Sequence, residues 1–162
     1  MIELQPFTTT DFEIFKSWIK DEEQMVQFGG EMFVFPITDE QLENYINRKD
    51  IKPLKVIWKK TGETLGHCEL NYQDGNKRLS RILIGEEKWR GKKIGEQIVL
   101  KMIELFFENE TIKKVDLNVF DWNKSAIKCY ENVGFEIKHE KTTLMKGGNK
   151  TWTRLNMELE RK

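Results

Sequence analysis

The heptapeptide Arg90-Gly91-Lys92-Lys93-Ile94-Gly95-Glu96 decides how this chain folds. It follows an apolar run, Arg81-Ile82-Leu83-Ile84, that predicts a buried strand. It opens a segment in which Ile94, Ile98, Met102 and Leu105 recur at helical spacing. A strand, a glycine-bearing turn and a helix in succession make an anion cradle. The first turn of a helix carries backbone N–H groups without intrahelical partners, and the positive end of the helix dipole lies there. Gly91 and Gly95 allow a phosphate to approach the backbone closely, and Arg90, Lys92 and Lys93 add positive charge at the same place. Two other phosphate loops fit poorly. No Gly-Lys-Ser or Gly-Lys-Thr follows, and the glycine spacing differs from that of the dinucleotide fingerprint, although Asp116 stands roughly where its acidic residue would.

Working outward, residues 77–84 form the second arm of a hairpin turning at Asp74-Gly75, with residues 64–72 as the first arm. Residues 54–59 and 2–7 alternate and predict two more strands. Between them, Thr10 offers a cap to a helix carrying Phe12, Phe15, Trp18 and Ile19, and Gly29-Gly30 closes that region. Phe28, Met32, Phe33, Phe35 and Pro36 form an aromatic loop, read either as core packing or as a lid on the substrate side. Thr38 with Gln41 makes a capping box for a short helix that ends by Lys52-Pro53. Beyond the phosphate turn, residues 114–120 alternate, 125–133 form a short helix, and 135–145 and 150–160 are long strands joined by Gly147-Gly148-Asn149. Helices covering a mixed sheet in one α/β (α+β) layered domain, 1–162, is the expected architecture.

Composition narrows the function. With 27 basic and 27 acidic residues the formal net charge is zero, which speaks against a nucleic-acid partner bound through bulk charge. Cys68 and Cys129 do not make a disulfide framework. The first residues lack the pattern of a signal peptide, and no apolar run approaches the length of a membrane span. A cytoplasmic protein with no membrane partner is expected. No second His, Cys or carboxylate stands at ligand spacing from His67, so no metal is expected. The sequence leaves a homodimer open.

A second constellation lies downstream: Asn123, Ala126, Tyr130, Gly134 and Phe135. Together with Arg90, Ile94 and Gly95 in the phosphate turn, it resembles the paired motifs of the GCN5-related N-acetyltransferases, in the right order and separation. The resemblance is strongest over residues 79–135 and closest in pattern to the ribosomal-protein and polyamine acetyltransferase branch. It implies acetyl-CoA as co-substrate and an amine acceptor: a small molecule or a peptide or protein N-terminus. A non-catalytic acyl-CoA-binding module is the alternative. It also implies a GNAT-like mixed sheet of about seven strands, splayed between the strands at 77–85 and 114–120 and flanked by about four helices. Lys93 departs from the pattern, which has glycine there. A Cβ costs little if that residue has helical dihedrals and ~1 kcal/mol or more if its φ is positive.

On this resemblance the cofactor site comprises Leu83, Ile84, Gly85, Arg90, Gly91, Lys92, Lys93, Ile94, Gly95, Glu96, Asn123, Ala126 and Tyr130. Backbone groups of residues 83–85, left unpaired by the splay, would bind the pantetheine amides like an added strand, and an N–H there would face the oxyanion. Asn123 would cap the second helix and bind the arm, Ala126 would leave room for it, and Tyr130, one turn on, would protonate the departing thiolate. Cys129 as an acetyl carrier is disfavoured, because it points about 100° away from Tyr130 on the helix. The hairpin register pairs Glu69 with Ser80 and gives it a face shared with His67, Asn71, Ile82 and Ile84, which makes Glu69 the candidate base. Asp116, Asn118 and Asp121 are alternatives. A polyamine acceptor would call for carboxylates, and Glu22, Glu23, Glu31 and Glu40 lie in the acceptor-side segments.

Overall fold

The computed structural model describes all 162 residues. Eight strands and five α-helices follow one another as β1 (Ile2–Pro6), α1 (Phe12–Trp18), α2 (Glu22–Gly29), α3 (Asp39–Ile46), β2 (Ile51–Trp58), β3 (Thr64–Asn71), β4 (Arg78–Ile84), α4 (Ile94–Phe107), β5 (Lys114–Phe120), α5 (Lys124–Val133), β6 (Glu136–Ile137), β7 (Thr143–Gly147) and β8 (Lys150–Glu160). The mixed α/β class is as expected, with one more strand and one more helix than the pattern suggests. The extra helix arises because the first helical segment breaks after Trp18, and Asp21 caps a new helix by accepting from the Gln24 N–H. The extra strand arises because 135–145 is interrupted by a 3-10 turn at His139–Lys141. The first cap is Thr8 rather than Thr10: its backbone N–H donates to the Asp11 carboxylate at 2.9 Å, in a capping box just ahead of α1.

The strands form a single mixed sheet in the order β1-β2-β3-β4-β5-β8-β6, with β7 also pairing β8. Its two faces bury different cores. On one face α4 packs Ile98, Val99, Met102 and Phe106 against Val56, Leu70, Leu79 and Leu117, and α5 adds Ile127. On the other, α1, α2 and α3 bring Phe12, Phe15, Met25, Leu42 and Tyr45 over Phe7, with Phe33 beneath them. A third, smaller cluster joins Val26 of α2 to Phe120, Met145 and Trp152.

Two irregularities in β4 open the sheet and set the directions of its side chains. First, β4 pairs with β5 only at Arg78↔Asp116 and Leu79↔Leu117, and beyond Leu79 the two parallel strands part. Second, the register with β3 slips: Glu69 pairs with Ser80, as the hairpin predicts, but His67 pairs with Leu83. Two residues of β4, Arg81 and Ile82, therefore stand opposite Cys68, which is a β-bulge. Arg81 carries it with φ +49°, a conformation that costs a non-glycine residue about 1–2 kcal/mol.

The bulge corrects one expectation. Side chains alternate along a strand, so an inserted residue reverses the faces of all later ones. Leu83 thus joins Glu69 and His67 on the α1–α3 side, while Ile82 and Ile84 pack with the α4 core. Glu69 does not share a face with Ile82 and Ile84.

The phosphate turn also departs from ideal helix geometry. Lys93 is the N-cap of α4 with φ +60°, and Gly91 has φ +73°. The lysine therefore sits in the left-handed region where the family pattern has glycine. Replacing it should relieve that strain, offset in part by the greater freedom of glycine in the unfolded chain. Lys93→Gly is expected to raise the unfolding free energy by about 0.5–1 kcal/mol, and Lys93→Val to lower it by about 1 kcal/mol or more, in urea titrations. A Lys93→Gly protein less stable than the parent would contradict the assignment.

Candidate active site

Where β4 and β5 part, a continuous cavity of about 1260 Å³ opens through the sheet. One end is the phosphate turn: Arg90, Gly91, Lys93, Ile94, Gly95 and Glu96 line it. Gly95 lies in the first turn of α4, and a Cβ there would stand 3.4 Å from Cys129 Sγ of α5. Its lack of a side chain serves the packing of α5 on α4 as well as the opening of the turn. Lys92 lies outside the wall, with its ammonium over the Trp89 ring at 5.7 Å.

From the turn the cavity runs between β4 and the start of α5. Leu83 and Ile84 form one side, and Asn123, Ala126 and Tyr130 the other. Asn123 is the N-cap of α5, its side chain accepting from the Ala126 N–H at 3.3 Å. Gly85 does not line the cavity, and its N–H donates to Leu65 O at 2.8 Å. By strand alternation the Leu83 backbone faces the same way, toward β3, and that of Ile84 faces the cleft. Of the three residues expected to be unpaired, Ile84 is thus the one whose backbone is free for a ligand. Gly85 has another duty: the Trp18 ring lies flat where a Cβ would be.

Tyr130 sits in the cavity wall with its ring edge-on to Phe135, and its hydroxyl has no partner within the protein. Burial pushes this phenol well above its usual range, with the Cys129 thiol adding to the effect. Tyr130 therefore holds its proton throughout the neutral range. The Cys129 thiol also lines the cavity and is pushed up to about 11, first by burial and then by Glu96. It is a poor nucleophile at neutral pH.

Past the parting, the cavity opens onto the other face of the sheet. There α2 and the segment after it contribute Gln24, Gln27, Phe28, Gly30, Glu31 and Met32, and the strands contribute Asn71, Ser80, Arg81, Asn118, Phe120 and Arg154. Of the aromatic loop, Phe28 and Met32 reach the cavity, whereas Phe33 is buried in the core. Of the four acidic residues considered for a cationic acceptor, Glu31 alone lines the cavity. Glu23 instead pairs with Lys150 at 3.1 Å.

Glu69 is placed differently from the expectation of an accessible base. It is fully buried and outside the cavity wall. Tyr45 Oη donates to it at 2.6 Å, Arg81 Nη1 at 2.7 Å and Asn71 Nδ2 at 3.2 Å. His67 completes the network. Its Nδ1 must carry the proton, because it faces the Arg81 carbonyl at 2.8 Å, and its Nε2 lies 3.2 Å from the Tyr45 hydroxyl. Burial lowers the His67 pKa to about 4, so the ring is neutral at pH 7. Asp116 is held by Arg78 at 2.9 and 3.0 Å and by Asn156 at 3.1 Å. Asn118 lines the cavity; Asp121 does not.

The basic wall is the part of the site that sequence reasoning misses. In the sequence Arg81 reads only as the head of an apolar run, and Arg48, Arg78 and Arg154 belong to no motif. A charged residue entering the strand next to the phosphate turn is the available signal.

Comparison with known proteins agrees with this geometry. Residues 2–136 match the family described as the acetyltransferase (GNAT) domain. An aminoglycoside N(6')-acetyltransferase type 1 of Klebsiella pneumoniae is 25% identical over 157 residues, spanning 88% of this chain and 77% of the relative. An L-amino acid N-acetyltransferase of Escherichia coli (strain K12) is 28% identical over 99 residues, spanning 59% of this chain and 60% of that protein. An aminoglycoside acetyltransferase crystallised with coenzyme A and kanamycin superposes with a TM-score of 0.76 at 19% identity, covering 99% of this chain and 95% of its own. A spermidine N-acetyltransferase from Vibrio cholerae, in complex with CoA and spermine, gives 0.79 at 15% identity, covering 98% and 95%. The structural likenesses establish the fold. No helix is long and apolar enough to cross a membrane. With the family match spanning most of the chain, and a cleft of the right form between β4 and β5, this chain belongs to the GNAT acetyltransferase superfamily and is an acetyl-CoA-dependent N-acetyltransferase.

Proposed function

We infer that this enzyme binds acetyl-CoA with its pyrophosphate on the turn at residues 90–95 and its pantetheine arm between β4 and β5, and passes the acetyl group directly to a primary amine held on the α2 side of the sheet. The parting of β4 and β5 after Leu79 carries this reading. It leaves the Ile84 backbone unpaired at an interior position of the sheet, beside the cavity that joins the phosphate turn to Tyr130. Buried backbone groups without partners are costly, and a ligand amide removes that cost. The cleft fits a pantetheine arm, and the exposed N–H groups at the head of α4 fit its phosphates.

The chemistry follows from the groups at the junction. The neutral amine attacks the thioester carbon, and the carbonyl oxygen becomes an oxyanion facing the Ile84 N–H. The nitrogen gives its surplus proton to water in the cavity, collapse breaks the C–S bond, and the departing thiolate takes the Tyr130 proton. Solvent then restores the phenol. Transfer through Cys129 is not needed, and its elevated pKa argues against it.

Two predictions test the assignments of Tyr130 and Glu69. Tyr130→Phe removes only the hydroxyl. It should lower kcat by about 10²-fold in single-turnover assays while leaving the dissociation constant for acetyl-CoA within about twofold. In the parent enzyme the raised pKa means that no alkaline loss of kcat from Tyr130 appears below about pH 10. A Tyr130→Phe enzyme with parental single-turnover rate would remove the phenol from the reaction.

For Glu69, the enclosure by Tyr45, Arg81 and Asn71 supports a role in holding Arg81 at the acceptor wall, with the amine's proton leaving through water in the cavity. Glu69→Gln should destabilise the fold by about 3 kcal/mol, because it leaves the Arg81 guanidinium without its counter-ion. At a temperature where the variant is folded, the Michaelis constant for amine should rise, with kcat nearly unchanged across pH. A fall in kcat that recovers as pH rises would instead make Glu69 the base.

A further inference from the structure

The acceptor half of the cavity has a charge pattern that the cofactor does not use. Four guanidinium groups reach its wall: Arg48, Arg78, Arg81 and Arg154. Three of them already have carboxylate partners. Arg48 pairs with Asp50, Arg78 with Asp116 and Arg81 with Glu69, at 2.7 to 2.9 Å. Arg154 has no carboxylate partner. Its Nε donates to the Thr143 hydroxyl at 3.2 Å, which orients the guanidinium while leaving its two terminal nitrogens free. Arg154 pairs across the sheet with Phe120 and, by strand alternation, shares the face of Trp152, which packs against Val26 of α2. It therefore stands on the acceptor side of the parted strands. One carboxylate on the same half, Glu31, also lacks an ion pair, and it is exposed at the mouth.

A polycationic acceptor would meet this wall badly. Three of the four guanidiniums are neutralised by their carboxylates, so its several positive groups would find one free carboxylate, Glu31, and would face the uncompensated charge of Arg154. A zwitterion would meet it well. A planar guanidinium with two free terminal nitrogens binds a carboxylate through two parallel hydrogen bonds, a charge-assisted contact with defined geometry. The unpaired Glu31 at the mouth complements the ammonium before it loses its proton.

We propose that the acceptor is an amine carrying its own carboxylate, of the amino-acid or short-peptide class, and that Arg154 is the residue that binds that carboxylate. The proposal rests on the acetyl-transfer reading above. It differs from the activities named for the aminoglycoside and polyamine relatives, whose acceptors carry several positive charges and no carboxylate, and agrees in acceptor class with the name of the L-amino acid relative; the assignment of Arg154 rests on the geometry of this chain alone.

The test uses the full-length enzyme and released thiol as readout, with acetyl-CoA saturating. The panel pairs L-amino acids and dipeptides with their C-terminal amides, which keep the amine and remove the anion, and adds spermidine and kanamycin. Acids should exceed their amides in kcat/KM by about 10- to 100-fold, the range of a charge-assisted hydrogen-bonded contact. Arg154→Gln should abolish that preference by raising the Michaelis constant of the acids while leaving the amides unchanged. Arg154→Lys, which keeps the charge without the fork, should fall between. Calorimetric binding of acetyl-CoA, measured on each variant, reports folding and the cofactor site independently. If acetyl-CoA binds and no carboxylate-bearing amine is acetylated, or if the acids are acetylated equally well by parent and Arg154→Gln enzymes, the proposal is overturned while the cofactor reading stands. If acetyl-CoA does not bind, the cofactor reading itself falls.

Discussion

The structure depends on a missing set of hydrogen bonds. Parallel strands normally pair along their whole length, and β4 and β5 abandon pairing after Arg78↔Asp116 and Leu79↔Leu117. Everything on either side compensates for that gap. Arg78 clamps Asp116 with two hydrogen bonds at the closed end, and Asn156 of β8 adds a third. Long antiparallel partners secure each strand on its other edge, β3 on β4 and β8 on β5. α4 closes the open end from below and α2 overlooks it from above. A sheet built this way stays intact while exposing backbone in its interior, and that is the condition for a peptide-like ligand arm to bind as a strand.

The bulge at Arg81 is the second constraint, and it turns the gap into a site with two chemically different halves. By reversing the faces of Ile82, Leu83 and Ile84, it sends the two isoleucines to the α4 core and presents Leu83 to the aromatic core under α1. By holding Arg81 in a left-handed conformation, it brings a guanidinium over Glu69, where Tyr45 and Asn71 complete the carboxylate's shell. Together with the hydrogen bonds from Tyr45 and Asn71, the ion pair satisfies the buried Glu69 carboxylate, and the neutral His67 ties the Arg81 carbonyl into the same network. The cofactor half is thus lined by the phosphate turn, the Ile84 backbone and the Asn123–Tyr130 face of α5, and the acceptor half by guanidiniums, amides and aromatic rings.

Much of this is legible in the sequence, for identifiable reasons. The helix after Arg90-Gly91, the cap at Asn123 and the hairpin around Asp74-Gly75 are local features, and local rules locate them. The register of Glu69 against Ser80 comes from the same turn. What fails is non-local. A β-bulge adds one residue without any change in the apolar pattern, so the faces of residues 82 and 84 come out reversed, and with them the accessibility of Glu69. The break between α1 and α2 is masked by continuous helical spacing from Phe12 to Ile19. The basic acceptor wall is assembled from the segment before β2, from β4 and from β8, remote in sequence, and no spacing rule connects Arg48, Arg81 and Arg154.

Hydrogen–deuterium exchange read at single amides, with and without acetyl-CoA, tests the central claim most directly. If the cofactor completes the parted sheet, the Ile84 amide exchanges readily in the free enzyme and becomes protected on binding, together with the amides of Lys93, Ile94 and Gly95 at the head of α4. The Gly85 amide, already bonded to Leu65 O, should be protected in both states. Protection that appears elsewhere on the molecule, with Ile84 unchanged at saturating acetyl-CoA, would contradict the account.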